Sequence, residues 1–509
     1  MPFLLALLPI ALIVVLMVGF RWGAAQAGGV GYLSALLIAL LAFGAGPQLL
    51  AYAHSRAFVL TMDVLMIIWG AFLLYRVVDE AGAIRTIGQA LPHLTADKGM
   101  QALLIGWVFA SFLQGVGGFG VPVAVIAPIL VGLGFTPLAA VVIPSIGHGW
   151  AVTFGSLGSS FQALIAATGQ PAARLAPPSA LFLSLAGVVT GFLVVHAAQG
   201  RPAVSRLIFP ILVFGAVMGA IHFLVATSNL WNIAAFCAGM AGLLVALPLA
   251  RRYRGEQGDN GLLDRRALAI AFSGYVVLIA VTLAVQLIPP LNDFLGQVVL
   301  QVKFPEVSTS LGYITPAGAS RKIPLFRHAG ALLFFTSLLA YLIYRSAKLY
   351  RPGAVRRITA GTVQRVLSSS VSIAAMVTMA VIMETSGMTE TLARGLAEGM
   401  RNAYPLVAPW IGALGAFITG STTNSNVVFG ALQMRTAELL GYRVALILAA
   451  QTAGASLASI MAPAKVVVGA STAGMAGREG DVLRKLIGYA CLLVLLISLL
   501  ALLGTLIPE

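Results

Sequence analysis

The chain has 509 residues, 59% of them hydrophobic and 9% charged, with a mean hydropathy of +0.97, which excludes an ordinary soluble globular protein. A membrane-crossing helix needs roughly 20 apolar residues and about a dozen such runs are present, while the short alternating pattern of a membrane β-barrel is absent. The net charge of +15 does not indicate a nucleic-acid partner, because the basic residues cluster in short loops between apolar runs, the positive-inside pattern.

In chain order, apolar runs are predicted near 3–20, 29–50, 57–76, 178–198, 207–225, 231–250, 267–288, 328–345, 366–387 and 486–506. The first lacks a basic start and a small-residue cleavage site, so it reads as a membrane helix and not as a removed signal. Cys237 and Cys491 fall inside apolar runs and read as packing residues. Two further regions, 100–168 and 406–470, are apolar but crowded with Gly, Pro, Ser, Thr and Asn, and each is too long for one span.

Arg251, Arg252, Arg254, Arg265 and Arg266 mark one cytoplasmic loop, and Arg345, Lys348, Arg351, Arg356, Arg357 and Arg365 mark another. Counting outward from these places both termini outside. It also places 289–327 outside, although Lys303, Arg321, Lys322 and Arg327 in it oppose the rule. The count closes only if each polar-rich region makes an odd number of crossings. The simplest solution is a re-entrant hairpin, near 100–132 and near 406–432, followed by one broken spanning helix. The expected fold is therefore an all-α polytopic membrane protein with about 12 transmembrane helices plus two re-entrant hairpins.

Self-comparison supports an internal repeat. Phe112-Leu113-Gln114-Gly115 aligns with Phe417-Ile418-Thr419-Gly420, and Asp79-Glu80-Ala81-Gly82 with Glu384-Thr385-Ser386-Gly387, both 305 positions apart; with two residues inserted, Leu133-Gly134-Phe135 aligns with Leu440-Gly441-Tyr442. The expected organisation is a first repeat over 1–200, connecting helices and a cytoplasmic loop over 201–266, and a second, inverted repeat over 267–509. Inverted repeats with broken helices meeting at the midplane are a common transporter architecture.

Polar groups inside apolar runs are the candidate site. Thr419, Ser421, Thr422, Thr423, Asn424, Ser425 and Asn426 form a run of neutral hydroxyls and amides, tolerable in a membrane only inside protein or beside a cavity. Gln114, Gly115, Gly117, Gly118 and Gly120, followed by Pro122, form a second break whose backbone amides can point at an anion; the competing reading is close helix packing through small residues. Ser156 lies in a third break, over 153–160, whose counterpart runs from Ser459 through Pro463 to Lys465. Lys465 reads as an anion ligand or a titrating group, with a lysine snorkelling to the inner interface as the plainer reading. Asp63, His148 and Glu384 are candidate proton carriers, with a helix-end carboxylate or a satisfied core histidine as the plainer readings. No metal-ligand spacing, nucleotide loop or nucleophile motif stands out, so neither a metal nor a cofactor is expected, and the chain reads as a transporter rather than an enzyme.

These segments together resemble the lactate permease family. The likeness rests on 69–75 (Trp-Gly-Ala-Phe-Leu-Leu-Tyr), 114–122, 131–135, 386–389, 419–426 and 473–479, in family order through nearly the whole chain. It implies a bacterial inner-membrane symporter that takes up lactate, glycolate or related small organic anions with a proton. Gln114 and Thr422 stand where the family usually has Glu and Asp, and Lys465 adds a positive charge. Together these changes favour an anionic substrate electrostatically and leave Asp63, His148 and Glu384 to carry a proton. The alternatives are a sodium-coupled or exchange-type carrier of another organic anion, and a membrane-embedded glycan transferase or polymerase. The latter would need a carboxylate pair in 289–327, where only Asp293 and Glu306 occur. The sequence sets no oligomeric state.

Overall fold

The computed structural model describes residues 2–118, 120–253 and 264–506. Arg254 of the first basic loop, Phe119 of the glycine-rich break and 507–509 of the second repeat lie outside the described residues.

The chain opens with α1 (Pro2–Val18), α2 (Ala24–Ala42) and α3 (Pro47–Glu80), then the short α4 (Ala83–Ala90). A first helical hairpin follows, α5 (Lys98–Val116) and α6 (Val121–Gly132), and then two half-helices, α7 (Pro137–Gly149) and α8 (Gly155–Thr168). The connecting helices are α9 (Ala172–Gln199), α10 (Ile208–Val225) and α11 (Ala234–Arg251). The second half runs through α12 (Arg265–Leu287), α13 (Pro289–Gly296), α14 (Ala329–Ser346), α15 (Ala354–Thr385) and α16 (Met388–Met400). It closes with a second hairpin, α17 (Tyr404–Thr419) and α18 (Thr422–Leu440), half-helices α19 (Val444–Ala458) and α20 (Pro463–Thr472), and α21 (Glu479–Thr505).

Among the described residues, ten helical stretches are long and apolar enough to cross a membrane. The number sits near the expected twelve: α1, α6 and α7 are shorter apolar helices, and Ile208–Ala250 is one stretch bent at the left-handed Asn229 (φ 60°). Large apolar side chains such as Leu33, Leu37, Leu41, Leu244 and Leu503 are exposed, as lipid-facing residues must be.

The two halves repeat one element order. The long helices α3 and α15 pack side by side, and each ends at a left-handed glycine, Gly82 (φ 74°) and Gly387 (φ 84°), that starts a short helix. Each hairpin ends alike: Gly134 N–H bonds Val131 O and Phe135 N–H bonds Leu130 O, while Gly441 N–H bonds Glu438 O and Tyr442 N–H bonds Ala437 O. Helix ends of this Schellman type satisfy carbonyls that lipid could not. At the hairpin tips the 305-residue alignment fails. Gly420 is itself the turn (φ 68°), but Gly115 is still helical, because its bare Cα lets the Phe236 backbone of α11 lie where a β-carbon would be 2.5 Å from Phe236 Cα. The first turn therefore falls later, at Gly117, Gly118 and Gly120.

One addition to the all-α expectation is a small β-arm within 289–327. Strands β1 (Val299–Leu300), β2 (Lys303–Phe304), β3 (Val307–Ser308), β4 (Ile314–Thr315), β5 (Gly318–Ala319) and β6 (Ile323–Pro324) pair antiparallel as β1–β6, β2–β5 and β3–β4. Pro305 and Pro316 lack an N–H and sit in the gap between two rungs. Rungs this short carry no readable alternation, so nothing in 289–327 marked them as strands. The arm lies over the ends of α3 and α15: Phe304 packs on Tyr52 at 5.2 Å between ring centroids, and the Thr315 hydroxyl donates to Thr385 O at 3.2 Å.

Candidate functional site

The first hairpin turns through Gly117, Gly118 (φ 55°) and Gly120 (φ 87°) before Val121 and Pro122 start α6. Left-handed backbone is strained for any residue with a β-carbon. Space is equally restrictive: a β-carbon on Gly118 would collide with the Ser156 hydroxyl and lie 3.3 Å from Gln114 Nε2. Gln114 is buried in the last turn of α5, and its Oε1 has no hydrogen-bond partner.

The second hairpin turns through Gly420 and Ser421. Ser421 caps α18 by accepting the Asn424 N–H at 3.2 Å, and the Thr419 hydroxyl donates to Gly415 O at 2.7 Å. Inside α18, Thr422 donates to Ala455 O at 3.3 Å, and Ser425 donates to Gly412 O at 2.8 Å. Gln451 also donates to Ser425 Oγ at 3.1 Å, and Gln433 links Gln451 Oε1 (2.9 Å) to the Tyr404 hydroxyl (2.6 Å). This satisfied network ties the second hairpin to α19 and gives Ser425 a packing role. Asn424 and Asn426 differ. Each donates from Nδ2, Asn424 to Ser372 Oγ (3.1 Å) and Asn426 to Ser160 O (2.9 Å) and Thr452 Oγ1 (2.8 Å). Each keeps a buried Oδ1 without a partner.

Helix α8 joins the two tips. It begins with three left-handed residues, Ser156 (φ 48°), Leu157 (φ 55°) and Gly158 (φ 79°). Such strain, about 1–2 kcal/mol for a residue with a β-carbon, persists only where packing enforces it. Here Gly158 fits against the Trp231 ring, where a β-carbon would lie 2.6 Å from Cζ3. At its start α8 meets Gln114 and Gly118. One turn on, Ser160 Oγ bonds Thr423 Oγ1 at 3.0 Å and Ser160 O accepts from Asn426. The half-helix of the second half reaches the other way. Lys465 on α20 is buried, lies with Cγ 3.9 Å from the site of a Gly120 β-carbon, and donates to Ser459 Oγ at 3.0 Å. The breaks themselves touch: Ser456 Oγ donates to Gly149 O (2.8 Å) and accepts from Thr153 N–H (3.1 Å). Gly149 and Ser456 are 307 positions apart, the same offset as between 133–135 and 440–442.

The structure thus gathers Gln114, Gly118, Ser156, Thr423, Asn426 and, beside Gly120, Lys465 around the start of α8. Gly117 stacks on the Tyr75 ring, with a β-carbon site 3.1 Å from Cδ2. Gly115 faces α11 instead. A cavity of about 600 Å³ opens beside the first tip, lined by Tyr75, Arg76, Gly120, Gln364, Arg365 and Val468.

The three proton-carrier candidates do not converge. His148 is fully buried on α7, with Nδ1 on Pro144 O at 2.7 Å and Nε2 unpartnered. Glu384 sits at the end of α15 under the β-arm, paired with Arg56 at 2.9 Å beside a cavity of about 760 Å³. Asp63 is buried and faces another cavity, of about 470 Å³. It accepts from Gln162 Nε2 at 2.5 Å, and His328 Nε2 lies 2.9 Å from its other oxygen. His328 Nδ1 accepts the Gly330 N–H at 3.2 Å as the cap of α14, so the ring proton sits on Nε2 and points at Asp63.

Sequence reasoning missed Gln162, His328 and Arg56. A glutamine in an otherwise apolar helix, two positions after Ser160, was the available signal for the first. The other two lie in runs that gave none.

A solved structure, the Alcanivorax borkumensis YdaH transporter, described as having an unusual topology, matches 90% of this chain and 87% of its own with a TM-score of 0.51. At 14% identity that likeness concerns the fold. Curated relatives are closer in sequence. An L-lactate permease of Bacillus subtilis is 29% identical across 98% of this chain and 94% of its own length. The glycolate permease GlcA of Escherichia coli is 26% identical across 98% and 95%. The family model described as L-lactate permease matches residues 2–507, which takes in both hairpins, both broken helices and the β-arm. This multi-pass membrane protein therefore belongs to the L-lactate permease family.

Proposed function

We propose that this chain carries small monocarboxylates, 2-hydroxy acids such as lactate or glycolate, across a bacterial inner membrane with a proton, by alternating access at the start of α8. The observation that carries this reading is the convergence there of both hairpin tips, with neutral donors on one side and the buried Lys465 on the other. Family membership and the relatives named lactate and glycolate permeases supply the substrate class. An inverted reading of the repeat suits it, since each hairpin then packs on the broken helix of the other half: α18 on α8, and α6 on α20. A lone ammonium in such a site favours an anion over a neutral solute.

Asp63 is the proton carrier in this scheme. It meets a cavity and accepts from Gln162 of α8, two positions beyond Ser160. In proteoliposomes, lactate or glycolate uptake should follow an inward proton gradient, and Asp63→Asn should abolish that drive while downhill exchange survives. Uptake indifferent to a proton gradient in the unmutated protein would sink the coupling assignment. Transport of neither acid would sink the substrate assignment.

A second reading rests on the unpartnered buried oxygens of Gln114, Asn424 and Asn426. Neutral carbonyl oxygens also suit sodium. Uptake that follows a sodium gradient at fixed pH would select it.

A further inference from the structure

The register of the β-arm explains cations that ran against the positive-inside count. Leu300 pairs with Ile323, and Lys303 pairs with Ala319. Gln301 and Val302 on the outgoing side therefore face Ser320, Arg321 and Lys322 on the return. One extra residue is a β-bulge, a device that bends a strand and re-aims its side chains. Ser320 pins it: its N–H donates to Val302 O at 2.7 Å, and its hydroxyl oxygen accepts the Val302 N–H at 2.9 Å. Neighbours in a regular strand face opposite ways. Here Arg321 and Lys322 both line the 470 Å³ cavity that holds Asp63, Gln162, Trp231 and His328. Arg321 and Asn229 also border the adjoining 760 Å³ cavity.

The charges on this wall are unequal in number: Arg321, Lys322 and Arg327 stand against the carboxylate of Asp63. Asp63 is the one carboxylate among the residues lining the cavity, and Gln162 and His328 engage it. Arg321 forms a long ion pair with it at 3.8 Å, beyond hydrogen-bond reach. Arg327 bonds the Asn292 side chain. The Lys322 ammonium has no ion-pair partner among the described residues. In the adjoining cavity Glu384 is held by Arg56. The unpaired Lys322 ammonium, beside a guanidinium whose one ion pair is long, leaves a net positive wall facing a space of the size that holds small ligands, roughly 300–1,000 Å³.

We propose that this cavity is a capture site for small carboxylate anions, in which Arg321 and Lys322, presented together by the bulge, dock the anion ahead of the hairpin junction. Such a field raises the local concentration of an anion and its rate of arrival. That the captured anion goes on to be carried rests on the proposed function; the capture site itself does not.

The test uses the full chain with Arg321→Gln, Lys322→Gln and the double variant, all on the exposed arm. In proteoliposomes the double variant should raise the KM for lactate about tenfold, with the loss falling on KM rather than Vmax, and should flatten the fall of uptake with added salt. A second readout needs no transport. Iodide, an anionic quencher, should reach Trp231, and the part of the quenching removed by Trp231→Phe should shrink severalfold in the double variant, while quenching by neutral acrylamide stays the same. An unchanged KM, unchanged salt dependence or unchanged iodide quenching in the double variant overturns the capture site. Failure of the unmutated protein to carry lactate would instead sink the proposed function, and the iodide measurement would still decide the capture site.

Discussion

At the first hairpin the chain turns on glycines, and the polar side chain it brings to the turn is the single amide of Gln114. At the second it turns on Gly420 and Ser421, and a capped helix follows whose hydroxyls and amides bond one another, α19 and α8. Both tips end helices away from water, where unpaired backbone groups are costly. The second tip satisfies those groups from its own sequence. The first bonds its own backbone, as Gly117 N–H to Leu113 O and Val121 N–H to Gly118 O, and is packed from outside by Ser156 of α8 and the Lys465 side chain of α20. The comparison shifts weight between the two candidate half-sites. The long polar run over 419–426 is in good part structural, and the glycine tip is the place where bare backbone lies beside the stem of the buried Lys465.

The largest expected effect breaks the two tips apart directly. Gly118→Ala places a methyl group on the Ser156 hydroxyl and forces a β-carbon into left-handed backbone. Initial uptake at equal membrane levels should fall below about 1% of the unmutated rate, as a misplaced site by roughly 1 Å can cost 10²-fold. Gly420→Ala meets nothing nearer than Ala462 Cβ at 3.9 Å, so only the backbone strain of about 1–2 kcal/mol remains, and uptake should stay within severalfold. Equal losses at both positions would remove the distinction.

Next is Lys465, which stands over the glycine tip. Lys465→Met keeps the volume and removes a charged donor worth about 1.5–3 kcal/mol, or roughly a 10- to 100-fold loss of carboxylate uptake. Thr422→Val, at the second tip, removes one long bond to Ala455 O and should change uptake less than about threefold. If Lys465→Met leaves both affinity and rate intact, the lysine is structural.

The third effect falls on stability. Asn426→Ala strips a donor from both Ser160 O and Thr452 Oγ1, and an unmatched buried polar group costs about 1–3 kcal/mol. The thermal midpoint in detergent should fall accordingly. A midpoint equal to that of the unmutated protein would mean that these bonds are replaced by water, and that the second tip is less closed than its packing indicates.

Much of this was legible beforehand because membrane chemistry leaves few choices. Apolar runs had to be helices, and glycine- or hydroxyl-rich stretches inside them had to be breaks. The aligned pairs Gly82/Gly387 and Gly134/Gly441 each end a helix in left-handed backbone. The tip alignment of Gly115 with Gly420 went astray because a glycine needed for helix contact and a glycine needed for a turn look the same in sequence. The Asp63–His328–Gln162 cluster joins residues up to 265 positions apart, and no local pattern encodes such a meeting. The β-arm was hidden because two-residue rungs carry no periodicity.

The smallest effect concerns how each hairpin is moored, and it compares the same two regions at their far ends. Asp97 caps the entry to α5 by accepting the Met100 N–H at 2.8 Å, and it pairs with Arg206 at 2.6 Å. The second hairpin is moored along its return arm, where Arg435 of α18 bonds Glu390 of α16; Arg394 adds a pair at 2.7 Å. Arg435, and after it Arg394, hold the Glu390 carboxyl below the usual carboxylate range. A carboxyl lowered in the folded state contributes stability that is present above its unfolded pKa and is lost as pH falls through the lowered folded value. Arg435 is partly exposed, so solvent screening limits the pair to about 1 kcal/mol or less. Glu390→Gln should therefore lower the thermal midpoint slightly at neutral pH, and the gap to the unmutated protein should close in acid. A gap that stays constant from neutral pH into acid would show that this mooring is steric and owes nothing to the charge on Glu390.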